Sequence, residues 1–110
     1  MDREPKIVIA SSFYEDHLIE IFEYGLEMFG YVQAYKYFNI IVHYVERLSS
    51  DYTYHPECRH LATKSRMYRN VILDAHLILY RITSERIEVL DIVHSASSIR
   101  KIQSTRKIHL

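Results

Sequence analysis

Apolar and polar positions change rhythm twice along the chain, and the changes mark its elements. Lys6 to Ala10 is a short apolar run, which predicts a first strand. Leu18, Ile21, Phe22, Leu26 and Phe29 then recur at three- and four-residue steps, the period of an amphipathic helix. Ser12 and Glu15 have the spacing of a capping box, so that helix is predicted to start there. Glu20, Glu23 and Glu27 lie off the stripe, and Gly30 is placed to end the helix in a left-handed conformation. Ala34, Phe38, Ile41, Val45 and Leu48 form a second stripe, widened by Tyr31, Tyr35, Val42, Tyr37 and Tyr44. A helix apolar over so wide an arc is expected to be largely covered by protein. With almost no linker between them, the two helices are expected to pair as an antiparallel hairpin.

From Ser49 to Ser65 no period is sustained, and Ser49-Ser50-Asp51 and His55-Pro56 are loop signals. The rhythm then becomes that of strands, near 67–73, 76–83 and 86–93, ending at His94. The links Asp74-Ala75 and Ser84-Glu85 are short enough only for antiparallel hairpins, though neither has a favoured Asn-Gly or Asp-Gly. The second and third of these strands are apolar at most positions, which implies a sheet covered on much of both faces. The predicted order is β-α-α-β-β-β: an α+β fold, an antiparallel sheet with a helical hairpin on one face.

Length and composition set bounds on this picture. A chain of 110 residues makes one domain, spanning 1–110. Its 48% hydrophobic and 25% charged content is ordinary for a globular protein. The single cysteine, Cys58, excludes an internal disulfide and fits a reducing compartment. The apolar run after MDREPK is too short for a signal-peptide core or a membrane span, which predicts a cytoplasmic protein without a membrane partner. The net charge of zero hides an asymmetry. Residues 1–50 carry four Lys/Arg against eight Asp/Glu, and residues 51–110 carry ten against six. After Ser95 come Arg100, Lys101, Arg106 and Lys107 with no acidic residue: either a solvated basic tail or a surface for polyanions or acidic protein.

Candidate chemistry is sparse. Seven histidines raise the question of a metal, and His55, Cys58 and His60 share a loop. There is no CxxC and no HExxH, and a fourth ligand would have to come from elsewhere, such as His94. No metal and no cofactor are expected. Gly25 and Gly30 are the only glycines, which argues against a phosphate-cradling loop or an oxyanion loop. Acid–base chemistry on RNA needs cations for the phosphate and a titrating group. Arg59, Lys64, Arg66, Arg69, Arg81, Arg100, Lys101 and His94 could supply them. His94, at a strand end, is either such a group or bonded to backbone. Arg81 lies in an apolar strand and needs a partner, for which Glu88 or Asp91 on the next strand would serve. The ten tyrosines mark either a partner-binding face or a peripheral core layer with hydroxyls in water.

Motifs add a resemblance. Glu57-Cys58-Arg59-His60-Leu61, Tyr68-Arg69, Ile78-Leu79-Tyr80-Arg81-Ile82, Arg86-Ile87-Glu88-Val89-Leu90 and Ile92-Val93-His94 occur in order over roughly 6–102. Together they resemble the RelE/ParE toxin superfamily of bacterial type II toxin–antitoxin modules, and most of all its ParE-like branch, the plasmid stabilization proteins. That resemblance implies a growth-inhibiting toxin, held in a hetero-oligomer by a cognate antitoxin. ParE-like members act on DNA gyrase without a nuclease centre, whereas RelE- and YoeB-like members are ribosome-dependent mRNA endoribonucleases. Where YoeB-like nucleases commonly carry an arginine before the apolar Leu-Val-Tyr of the middle strand, this chain has Leu77. Losing a phosphate-clamping arginine would forfeit much transition-state stabilisation, which favours the non-enzymatic branch. The resemblance then implies target-binding roles for Arg59, Lys64, His94, Arg100 and Lys101. Under the nuclease alternative, His94, Arg81 and Arg69 would be catalytic. Two stretches depart from many ParE relatives: Asp91 stands where they are basic, and Ser95-Ala96-Ser97 replaces Gly-Arg-Arg. The core is expected over 6–102, with 103–110 as a basic tail.

Overall fold

A computed structural model describes residues 4–110. Its first elements are strand β1 (Ile7–Ala10), helix α1 (Ser12–Phe29) and helix α2 (Tyr31–Asp51). They are followed by strands β2 (Tyr68–Ile72), β3 (His76–Ile82) and β4 (Arg86–His94), and by a short helix α3 (Ile99–Ser104). The sheet order is β1-β4-β3-β2. β2, β3 and β4 pair antiparallel as the two tight links require, whereas β1 joins the far side of β4 in parallel. The architecture is the predicted α+β one, mixed at that single edge.

The entry into α1 lies one residue earlier than the capping box predicts. Ser11, not Ser12, is the N-cap, and its Oγ accepts the Tyr14 N–H at 3.1 Å. The same hydroxyl donates to the Leu90 carbonyl, and the Ser11 N–H donates to the Val89 carbonyl. The cap is therefore chosen by β4, a tertiary neighbour that local spacing does not reveal. Gly30 joins the two helices alone. Its N–H closes α1 on the Leu26 carbonyl, and its own carbonyl accepts from Ala34 to open α2. Its φ of 83° is positive as expected, but ψ is 172°, an extended mirror-image region open in practice only to glycine. At the crossing, a Cβ on Gly25 would lie 3.1 Å from the Ala34 Cβ, so the helices touch almost backbone to backbone.

α2 buries Ala34, Ile41 and Leu48 and runs on to Asp51, past the predicted Ser49 boundary. Arg47–Asp51 pairing and the Lys6 N–H on the Ser49 carbonyl hold that last turn. In α1 only the first part of the predicted stripe faces the sheet. Leu18, Ile21 and Phe22 are half-buried, but Leu26 and Phe29 are exposed, because the hairpin overhangs the sheet.

Both sheet faces are covered. Under the hairpin lie Val71, Ile78, Tyr80, Ile87, Val89 and Ile92, packed with Tyr14, Ile41, Leu48 and Tyr52. On the outer face Tyr68, Leu79, Leu90 and Val93 pack with Cys58, Leu61 and Ile102. A register shift between Leu79 and Tyr80 makes this possible. It breaks strict alternation, so that Val89 and Ile92 join the hairpin side while Leu90 and Val93 join the outer one. Neither hairpin turn is type I′ or II′, since Arg66 is the only non-glycine described residue with positive φ.

The stretch after α2 is not a free loop. Pro56 and Cys58 bond to the backbone of Asn70 and Tyr68, covering the outer edge of β2. The chain after β4 also folds back. Ile102 is buried, Ile108 and Leu110 pack on the outer cluster, the exposed Arg106 lays its guanidinium over the Tyr68 ring at 5.6 Å, and Lys107 is exposed. No helix among the described residues is long and apolar enough to cross a membrane.

The Gly30 geometry generates one test. Gly30→Ala should lower the unfolding free energy by about 1–3 kcal/mol, read by urea denaturation. An unchanged midpoint would mean that the junction does not hold the hairpin.

Candidate functional site

The overhanging hairpin leaves a groove of about 950 Å³ beneath it. α1 contributes Glu20, Ile21, Tyr24 and Gly25, and α2 contributes Gln33, Ala34 and Tyr37. The floor comes from the β2–β3 turn and the strand ends: Asp74, Ala75, His76 and His94. Phe29 closes the far lip, and it and Tyr24 are 67% and 60% exposed, so large aromatic rings meet water there. The helical walls are mainly apolar, with Glu20 and Gln33 among them, and Asp74, His76 and His94 add polar groups at the sheet end. That is the usual composition of a recognition site. A second hollow, along Lys36, Ile40, His43, Tyr44 and Arg47, has walls from α2 alone.

At the sheet end, the Tyr37 hydroxyl lies 2.8 Å from Nδ1 of His76, and the His76 and His94 rings are 5.6 Å apart. His76 and His94 are opposite each other in the β3–β4 register. His94 is exposed, and its Nδ1 accepts the Ala96 N–H at 3.0 Å. That bond leaves Nε2 as the protonated nitrogen of the neutral ring. Burial, helped by the neighbouring His94, holds the His76 pKa below the ordinary histidine value. Tyr37 is pushed the other way by burial, with Asp74 adding to it.

The cations singled out in the sequence are scattered. Arg81 is buried on the outer face, where Nε and Nη2 reach Glu88 Oε1 at 2.7 Å and Nη2 reaches the Ile108 carbonyl at 2.9 Å. Glu88 was one of its two expected partners. The other, Asp91, instead bonds His17 on α1 at 2.6 Å. Arg86 takes the second oxygen of Glu88 at 2.8 Å and bonds the Leu110 carbonyl. Burial pushes the Glu88 carboxyl up, but hydrogen bonds and charge from the two arginines outweigh it and hold the pKa below the usual carboxylate value. Arg69 donates to the carbonyls of Arg66, Thr53 and His55, clipping the 52–67 segment to β2. Arg59, Lys64, Arg100 and Lys101 are exposed. The residues of the nuclease alternative therefore split between the groove floor (His94), the buried outer face (Arg81) and the 52–67 clip (Arg69). Leu77 packs in the outer cluster.

His55 and Cys58 are drawn into different surroundings. His55 is buried among the rings of Tyr44, Tyr54 and Tyr80, and Cys58 lies in the outer core, where burial pushes its thiol pKa up. Among the described residues, no three His, Cys, Asp or Glu side chains are grouped to hold a metal ion. The groove itself went unread in the sequence. The tyrosines allow a partner-binding face in general, and Tyr24 and Tyr37 are the two that line this groove; His76 after a tight turn carries meaning only once the hairpin is set on the sheet.

No family model matches the chain, and no curated protein does. Among solved structures, it is similar to a chain of the "Chromosomal ParDE TA system from P. aeruginosa", with a TM-score of 0.68 at 16% sequence identity. The match covers 84% of this chain and 98% of that one. At this identity the likeness establishes the fold, the ParE-like α+β arrangement.

Burial depresses the pKa of both His55 and His76. The unfolded chain therefore takes up protons at a higher pH than the folded one, and stability should fall as pH drops through about 6.5. His55→Phe, which keeps a ring among the tyrosines, should flatten that dependence in denaturation measured between pH 7 and 5. An unchanged slope would exclude His55 as a source.

Proposed function

We propose that this protein is the toxin of a type II toxin–antitoxin module, ParE-like in action, working in the cytoplasm and neutralised by a cognate antitoxin. The observation that carries the reading is the fold likeness extending over 98% of a ParDE chain. Its mechanism is binding rather than bond cleavage. Arg81 and Arg69, which a nuclease centre would need free, are spent on Glu88 and on backbone carbonyls. Leu77 offers no charge. DNA gyrase is the target class that the ParE-like resemblance implies. Arg59, Lys64, Arg100 and Lys101, all exposed, are the side chains offered to it together with His94.

The antitoxin has two places to bind, a helix surface or a sheet edge. The β2 edge is occupied by Pro56 and Cys58 over Tyr68 to Asn70, and the other edge, β1, offers only the four residues Ile7–Ala10 to pair with, which favours the groove beneath the hairpin. A segment seated there would cover Tyr24 and Phe29 and lie against His94, so that one strand end serves both the target and its inhibitor.

Induced expression of the chain alone should arrest growth, and purified protein should inhibit gyrase supercoiling without cutting translated mRNA. Primer extension showing codon-positioned cleavage, lost in His94→Ala, would replace this reading with that of a ribosome-dependent mRNA endoribonuclease. Unchanged growth would remove the toxin reading altogether.

A further inference from the structure

The helical hairpin has a second face, turned away from the sheet and the groove. On α1, Asp16 and Glu23 lie about half a turn from the buried Tyr14 and Gly25. On α2, Lys36 and His43 lie about half a turn from the buried Ala34 and Ile41. All four are exposed, and Asp16, Glu23 and Lys36 have no ion-pair partner among the described residues. Between the acidic row and the basic row runs an apolar seam. Ile19, 55% exposed, and Leu26 come from α1, and Tyr31 and Tyr35, 65% and 46% exposed, come from α2. The Tyr31 and Tyr35 rings stack at 5.6 Å, and Phe38 continues the row. One surface thus carries an apolar centre and both halves of a charge match, which makes it complementary to itself.

We propose that two copies of this chain pair through these faces, α1 of each lying antiparallel on α2 of the other. The hairpin sets the register. Gly25 and Ala34 meet at the crossing of the helices. Glu23 and Lys36 stand equally far from that crossing along their helices, and so do Asp16 and His43. Each pair is therefore level. A twofold axis parallel to the helices keeps those levels and lays α1 of one copy over α2 of the other. Glu23 then meets Lys36, and Asp16 meets a ring N–H of His43, each contact made twice. An axis running across the helices would set α1 on α1, acidic row against acidic row, which like-charge repulsion disfavours. The apolar seams meet along the favoured axis and cover Ile19, Tyr31 and Tyr35. Two helices about 27 Å long and about 10 Å apart give each copy a contact face on the small side for a stable interface, so the pairing is reversible. It leaves the groove open and stands apart from the toxin reading.

The test is sedimentation equilibrium of the full-length protein, which should show a monomer–dimer equilibrium between about 10 µM and about 1 mM. Glu23→Lys and Lys36→Glu, each alone, should weaken the dimer about tenfold or more, since each turns two ion pairs into like-charge contacts. The two variants mixed in equal amounts should pair with each other to within about threefold of the original affinity, because Lys meets Glu again at both contacts. Recovery between separate chains cannot come from repair inside one hairpin. Circular dichroism verifies that each variant is folded. A second measurement needs no variant: amide shifts that change on dilution should fall at Asp16, Ile19, Glu23, Tyr35, Lys36 and His43. A protein monomeric throughout, single variants as dimeric as the original, a mixture no tighter than its components, or dilution shifts confined to the groove would each overturn the proposal.

Discussion

Three charged side chains on the outer face of the sheet hold the fold together. Arg81 on β3 stands directly opposite Glu88 on β4, and Arg86 closes on the same carboxylate. Burying such groups is costly unless each is paired and its remaining donors are satisfied. Here the satisfaction comes from the chain end, through the carbonyls of Arg106, Ile108 and Leu110. The row thus joins two strands to the last segment of the chain. That segment in turn brings Ile102, Ile108 and Leu110 over Leu79, Leu90 and Val93. Without it, only Cys58, Leu61 and Met67 would cover the apolar outer face of the sheet.

A sheet fixed from outside frees the other side for recognition. The hairpin needs only its root packed, through Tyr14, Leu18, Ile41 and Leu48, and its far half stands clear. Gly30 and the Gly25–Ala34 contact keep that far half narrow enough to leave a groove instead of filling it. Charge is unevenly placed as well: α1 carries five carboxylates and no Lys or Arg, whereas Arg81 and Arg86 lie on the outer face of the sheet.

The strands and helices were legible because each rests on local periodicity. The β3 and β4 boundaries agree with the pattern to within a residue or so, and the Arg81–Glu88 pair could be foreseen from strands joined by a two-residue turn. What escaped depends on contacts distant in sequence. Ser11 takes the cap from Ser12 because Leu90 and Val89 lie beside it. β1 pairs in parallel with a strand nearly eighty residues on. The last residues, basic in composition, pack because their backbone carbonyls answer Arg81 and Arg86. The groove has no motif at all, being the space between elements that were each foreseen singly. The motif string from Glu57 to His94 pointed to the fold, and the likeness to a ParDE chain agrees with it.

Arg81 is taken up by Glu88 and by backbone carbonyls, so under the proposed toxin reading it serves the fold and not the target. Replacing Arg81 and Glu88 together by methionine removes the buried pair while keeping the volume, an exchange that buried ion pairs often tolerate, and leaves the partly exposed Arg86 to water. Growth should be measured on induction of this double variant, with folding verified by circular dichroism and thermal unfolding. The account predicts a folded protein that still arrests growth. A folded double variant that has lost the arrest would show that Arg81 acts on the target, and would contradict it.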